Sequence, residues 1–213
     1  MTRDSAPTDK QKRRRYSPRV RRAMILDAAA EMVARNGVSS VSFEAVSQEA
    51  GISKSLVYNY FDGVPDLLKE LLERELREQR RLQFEAAERA TTFEELVRFI
   101  TREYLSYIDR RGLIIERLQA DPASSDKNMP AFYSKSPAVD YLAPLVAQHF
   151  DLPELEARAA TEVSFGLPAA AGEYLLRREM DLQALEDLTV SMIIGAIVRA
   201  RNDYLAQRRT LQR

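Results

Sequence analysis

Apolar residues recur at helical spacing along most of this chain, and nowhere do they alternate for long enough to build a strand. Ile25, Ala28, Ala29, Met32 and Val33 stand at i, i+3, i+4, i+7 and i+8, which is one face of a helix. That helix is predicted to begin at Ser17-Pro18, an N-cap followed by proline where a missing amide costs nothing, and to end at Asn36-Gly37. After a short link at residues 38–41, Ser42 is read as the N-cap of a brief helix bearing Phe43, Val46 and Ala50. Gly51-Ile52 turns the chain, and Ser53 caps a second brief helix bearing Leu56, Val57 and Tyr60. Phe61-Asp62-Gly63 breaks it. Pro65 then opens a long helix through Leu67, Leu68, Leu71, Leu72 and Leu76 to about residue 90.

The pattern continues in the second half. Thr91-Thr92 opens a helix with Phe93, Leu96, Val97, Ile100, Tyr104 and Tyr107 inward. A break is expected at residues 109–112, a short helix at 113–120 and a loop at 121–130. A helix with Phe132, Tyr133, Val139, Leu142 and Val146 follows, then two long helices over about 153–179 and 182–208. Pro168, in Gly166-Leu167-Pro168, removes an amide donor and should kink the first of these. The expected fold is all-α, with about nine helices. Residues 1–16, polar and without periodicity, are read as a disordered basic arm, residues 17–64 as a three-helix domain and residues 65–213 as a larger helical domain.

Charge changes this picture at one end. The chain is formally neutral, yet residues 1–22 carry nine Lys/Arg against two Asp, leaving 23 basic and 30 acidic residues in the remainder. A neutral chain with one strongly basic end points that end at a polyanion, although a merely solvated tail would have the same composition. The absence of cysteine excludes a disulfide framework and thiolate metal sites. His149 is the only histidine, and no metal site or cofactor is expected. With no secretory leader and no run near the ~20 apolar residues a bilayer demands, the chain reads as soluble and cytoplasmic.

Two short helices flanking a glycine turn over residues 42–61 form a helix-turn-helix layout. Ala50 is small where the helices cross, Gly51 supplies a left-handed turn, and Ile52 wedges between them. Ser53, Lys54, Ser55, Tyr58 and Asn59 are left facing outward on a helix slim enough for the major groove. Ser42 and the amides behind it can meet a phosphate. An ordinary helical hairpin with polar outer residues would also fit this pattern.

Residues 21–72, with Glu49-Ala50-Gly51-Ile52-Ser53, then Leu56-Val57-Tyr58-Asn59-Tyr60-Phe61, then Leu67-Leu68, resemble the DNA-binding domain of the TetR family. The resemblance implies DNA contacts from Ser42, Ser53, Lys54, Ser55, Tyr58, Asn59 and Tyr60. The family's lysine at the start of the long helix is replaced here by Val64. Arg13, Arg14 and Arg15 can compensate from the arm by entering a neighbouring minor groove.

The resemblance also implies a homodimer through the last two helices and a small-molecule effector in the larger domain. Residues 188–198 are apolar nearly all round, so that helix should be covered on more than one side, with Gly195 and Ala196 permitting close approach; burial within one subunit is the alternative. Tyr104, Ile108, Phe132, Phe165 and Leu167 are the expected lining of a pocket for a hydrophobic, flat or acyl-like effector, although aromatics at helical spacing also build plain cores. Without a phosphate loop, a nucleophile elbow or a histidine pair, an enzyme is not expected. The whole reads as a ligand-released repressor on a pseudo-palindromic operator. The alternatives are an activator, or a helical dimerising module without specific DNA binding.

Overall fold

A computed structural model describes residues 16–121 and 136–211, which form nine α-helices and one 3-10 turn, with no strand among the described residues. Helix α1 spans Pro18–Asn36, the 3-10 turn Val38–Ser40, α2 Phe43–Glu49, α3 Lys54–Tyr58 and α4 Val64–Ala87. Helix α5 spans Phe93–Ala120, α6 Ser136–Phe150, α7 Glu154–Ser164, α8 Gly166–Leu176 and α9 Leu182–Leu211. None of the described helices is long and apolar enough to cross a membrane.

Local chemistry accounts for the ends. The Ser17 hydroxyl accepts from the Val20 amide at 3.4 Å, and Pro18 opens α1 without an orphaned donor. Gly37, at φ 83°, returns its amide to the Val33 carbonyl at 3.0 Å and ends the helix. Helix α5 starts with a capping box, in which the Thr92 hydroxyl accepts from the Glu95 amide at 3.1 Å and Glu95 accepts from the Thr92 amide at 3.2 Å.

The main core joins α1, α2, α3 and the first half of α4 to the last half of α5. Ile25, Val33, Val46, Val57, Leu67 and Leu71 pack in one cluster with Tyr107, Ile114, Ile115 and Leu118. Arg117, on α5, donates to the Val33 and Ala34 carbonyls at 2.6 and 2.8 Å, satisfying the end of α1. Two smaller clusters hold the other end: Val146, Phe150, Ala157, Ile193 and Ile197, and Leu105, Ala171, Leu175 and Leu185. Helix α5 is therefore the central strut, packing against α4, α8 and α9 and reaching α1.

Two expectations need correction. The break expected at residues 109–112 does not occur, because α5 runs unbroken through it. Gly112 is there for proximity: a Cβ would lie 2.8 Å from Ile108 Cγ2 and 3.2 Å from Leu176 Cδ2, so it lets α8 close on α5. Conversely, the helix expected over 153–179 is divided into α7 and α8 at Phe165. Pro168 cannot donate to the carbonyl of the preceding turn, and Gly166 weakens the same turn. Residues 1–15 of the arm expected over 1–16, with Arg13, Arg14 and Arg15, and Phe132 and Tyr133 lie outside the described residues.

Candidate nucleic-acid interface and effector cavity

The turn between α2 and α3 is built by Gly51 at φ 65°, a left-handed conformation in which a side chain would be strained. Ser42 caps α2 by accepting from the Ala45 amide at 3.1 Å. Phe43, Val46 and Val57 are buried, which orients the remaining surface of α3. Ser53, Lys54, Ser55, Tyr58 and Asn59 are all exposed along it, on one continuous polar surface. Tyr58 keeps 57% of its surface open, yet its ring stands edge-on to Phe43 at 4.8 Å, which restricts its direction.

Other details were not readable from residue types. Ser53 stands at the N-cap of α3 but makes no capping bond; its hydroxyl lies 3.1 Å from that of Ser55. The Lys54 ammonium is held by Glu44 at 3.3 Å, both side chains being exposed. Tyr60 is half-buried against the core and its carbonyl accepts from Arg22 at 3.3 Å, unlike its outward neighbours. Val64 also packs against this core, so the position that lacks a lysine contributes apolar contact. Arg22 itself forms a two-pronged pair with Glu70 and lies 4.8 Å over the Phe61 ring, tying α1 to α4 at the base of α3.

Directly above this unit, α4 and α5 are joined by a buried carboxylate. Glu75 is 2% exposed; it accepts from Tyr107 Oη at 2.8 Å and from Arg111 at 2.8 and 2.6 Å, with Arg74 at 3.2 Å. Burial alone would raise its pKa. The hydrogen bonds from Arg111 and Tyr107 and the two guanidinium charges outweigh it, so the carboxyl lies below its ordinary value. Glu186 plays a similar part between α5 and α9, fully buried with Arg102 at 2.7 Å and Arg98 at 3.2 Å.

Farther along the same helices a cavity of about 260 Å³ opens between α4, α5, α6 and the α7–α8 junction. Each wall is one helical face: Gln79, Gln83 and Ala87 from α4, Ile100, Thr101 and Tyr104 from α5, Ala138, Tyr141 and Leu142 from α6. Phe165, Pro168 and Ala169 close the fourth side, so the interruption at Phe165 borders the space. Phe84 and Tyr141, each nearly half exposed and 6.0 Å apart, stand edge to face at its rim. A second, smaller space of about 70 Å³ lies behind it. Leu142, Ile100, Thr101, Phe165 and Pro168 border both, and the inner space extends to Ile193 and Ile197 of α9.

The structure thus brings Tyr104 and Phe165 to one cavity and leaves Ile108 and Leu167 off it. Ile108 lies one turn beyond Tyr104 and fills the gap opposite Gly172 and Gly112. Leu167 is rotated away from Phe165 and Pro168 and packs with the cluster around Val146 and Ile193. Sequence reasoning missed the polar lining, Gln79, Arg80, Gln83 and Thr101. A glutamine, Gln79, on the otherwise leucine-bearing face of α4 was the available signal. His149, the lone histidine, stacks on Phe93 at 4.8 Å and is exposed, and no group of metal-binding side chains occurs among the described residues.

The helix-turn-helix residues coincide with a known family profile: residues 25–71 match bacterial regulatory proteins of the tetR family. The chain is also similar to the fatty acid metabolism regulator protein of Bacillus subtilis strain 168, with 29% identity over 96 residues. That match covers 45% of this chain and 46% of the regulator, so it spans less than half of the relative. Among solved structures, a transcriptional regulator of Pseudomonas aeruginosa PAO1 superposes with a TM-score of 0.73 at 18% identity, covering 89% of this chain and 96% of that one. The transcriptional regulator FadR of Bacillus subtilis, solved with stearoyl-CoA, gives a TM-score of 0.63 at 17% identity, covering 82% and 98%.

Proposed function

We propose, from the premise that residues 25–71 make this chain a TetR-family regulator, that it represses transcription as an effector-released homodimer on a pseudo-palindromic operator. The observation that carries the reading is the polar surface of α3: Ser53, Lys54, Ser55, Tyr58 and Asn59 exposed together on a helix fixed by a buried wedge. Lys54 and Asn59 would meet base edges or phosphates in the major groove, and Ser42 a phosphate beside it. Tyr60 is a backbone contact at most, its ring being committed to the core. Arg13, Arg14 and Arg15 would add affinity from the flank, with little base selectivity.

In this reading residues 17–64 are the reading head and residues 65–213 the effector and dimerisation domain. Leu188, Met192, Gly195 and Ala196 are exposed along one stripe of α9, which supports a second copy covering it. Two heads related by a two-fold axis address half-sites about one DNA turn apart or a multiple of it. An effector in the cavity touches the far half of α4, whose near half is built into the head's core, and could move one head relative to the other. FadR of Bacillus subtilis, similar in fold at 17% identity, was solved with stearoyl-CoA, whose long acyl chain supports an effector with an apolar part. Release requires that the effector prefer the state that does not bind DNA.

The test is a titration of the full chain against the DNA upstream of its own gene and an unrelated duplex of equal length, over a salt series. Tight, selective binding that weakens steeply with salt is expected. Equal, weak binding to both would favour the alternative of a dimerising module without operator recognition.

A further inference from the structure

The face of α4 turned away from the cavity carries a second opening. Arg77 and Arg81 stand two residues before Gln79 and Gln83, about 200° around the helix, and so lie on the opposite face from the effector cavity. With Arg74, and with Arg110 and Arg111 of α5, they line a cleft of about 560 Å³. Three carboxylates, Asp27, Glu75 and Glu78, lie among these five arginines, so the lining carries a net charge of +2. The chain as a whole is neutral and its basic excess is confined to residues 1–22, so a positive cleft in the helical body runs against its surroundings.

The arginines fall into two sets. Arg74 is held by Asp27 at 2.7 Å and Arg111 by Glu75 at 2.6 Å, which fixes both guanidiniums. Arg81 is paired with Glu78 at 2.7 Å and with Glu85, but all three side chains are about half exposed and such pairs are weak. The Arg77 guanidinium makes no hydrogen bond or ion pair among the described residues. Arg110 donates to the Ser106 carbonyl at 3.1 Å and has no carboxylate partner there. Arg77 follows Arg74 by three residues and precedes Arg81 by four, a spacing at which like charges on a helix repel. An anion between α4 and α5 relieves that repulsion and partners Arg77 and Arg110 together.

We propose that this cleft is a binding site for a phosphoryl-type polyanion, a compact tetrahedral oxyanion group carrying at least two negative charges. The site is separate from the effector cavity and from the polar surface of α3. Arg77 holds the anion from α4 and Arg110 from α5, with Arg81 free to exchange its surface carboxylates for it. A phosphoryl group offers acceptor oxygens in several directions to guanidiniums arriving from two helices, whereas a carboxylate accepts in one plane. Leu82 is the only aliphatic side chain of the lining among the described residues, so the site does not call for a large apolar part. Bound there, the anion bridges α4 to α5 beside Glu75 and stiffens the joint between the head and the helical body.

The experiment is isothermal titration of the full chain with inorganic pyrophosphate, inorganic phosphate, ADP and malonate at constant ionic strength, since salt alone screens exposed arginines. Pyrophosphate should occupy one site per chain and bind at least about tenfold more tightly than malonate. An Arg77→Gln, Arg110→Gln double variant should weaken pyrophosphate at least about thirtyfold. Arg89→Gln, Arg208→Gln, which removes the same charge from exposed positions outside the cleft, should change it less than about twofold. Thermal melts verify that both variants fold, and pyrophosphate should raise the Tm of the parent but not of the cleft variant. Phosphate and ADP separate the sources of the group: ADP binding more tightly than pyrophosphate assigns it to a phosphorylated metabolite, and pyrophosphate or phosphate binding more tightly than ADP assigns it to the free inorganic ion. Absence of pyrophosphate binding, equal binding of malonate, or an equal loss in the two double variants would overturn the proposal. So would a loss of operator affinity in the cleft variant without pyrophosphate binding in the parent, which would make the cleft a DNA contact.

Discussion

Glu75 is a buried carboxylate that joins α4 to α5. Its carboxylate is surrounded by Tyr107, Arg111 and Arg74, and its pKa is depressed despite burial. The folded value lies below the ordinary 4.5, so the stabilisation is complete above the unfolded value and lost as pH falls through the folded one. Glu75→Gln should lower stability at neutral pH by about 1–3 kcal/mol. That is less than for a fully enclosed pair, since the Arg111 side chain keeps 29% of its exposure and can be rehydrated. Urea unfolding at a series of pH values checks this: the gap between wild type and variant should be constant from neutral pH down to about 5 and shrink below the ordinary carboxylate range. A gap independent of pH would mean that the carboxylate's charge does not contribute. Because a Cβ at Gly51 would touch nothing within 4 Å, Gly51→Ala should cost about 1–2 kcal/mol from backbone strain alone, measured as a lowered denaturant midpoint.

Single elements show what a linear pattern conveys and where it fails. The face of α1 was legible because Ile25, Ala28, Ala29, Met32 and Val33 repeat with the helix, and all five are buried. The polar face of α3 was legible for the complementary reason, since Val57 had to be inside. Gly112 was misread because glycine marks both chain reversal and close approach, and only the partner helix distinguishes them. Gly112→Ala would ordinarily stabilise a helix interior by about 1 kcal/mol. Here the added methyl meets Ile108 and Leu176, and we expect destabilisation of about 1–3 kcal/mol, visible as a lower Tm. Pro168 was read correctly as an interruption, because its missing donor acts whatever surrounds it. The cavity was legible only in part. Tyr104 and Phe165 could be suspected as aromatics, but Gln79 and Thr101 acquire meaning only when α4, α5 and α6 stand around the same space. Ile108 and Leu167 failed for the rotational counterpart of that reason, being apolar on faces that turn away.

For the molecule as a whole, two expectations follow from the proposed assembly. Leu188 and Met192 are each about half exposed on the α9 stripe, and Gly195 has open space above it. A Leu188→Arg, Met192→Glu double variant should sediment as a monomer and lose operator affinity, while keeping the helical signal of the parent. A dimer that survives this change would move the interface elsewhere. Replacing Arg13, Arg14 and Arg15 with alanine should weaken operator and unrelated DNA alike and reduce the slope of log affinity against log salt by about 2–3. An unchanged slope would show that the arm makes no phosphate contact.

The core shared by α1 and α5 bears on how such proteins can be recombined. The profile match ends at residue 71, but Tyr107, Ile114, Ile115 and Leu118 complete the same cluster, and Arg117 closes the end of α1. A chimera cut after residue 71 would strip the head of its floor and graft it onto a foreign strut. Under the proposed function, DNA specificity is therefore expected to be exchanged by replacing surface positions on α3, or by moving the head together with the second half of α5. Transplanting the head alone is expected to fail.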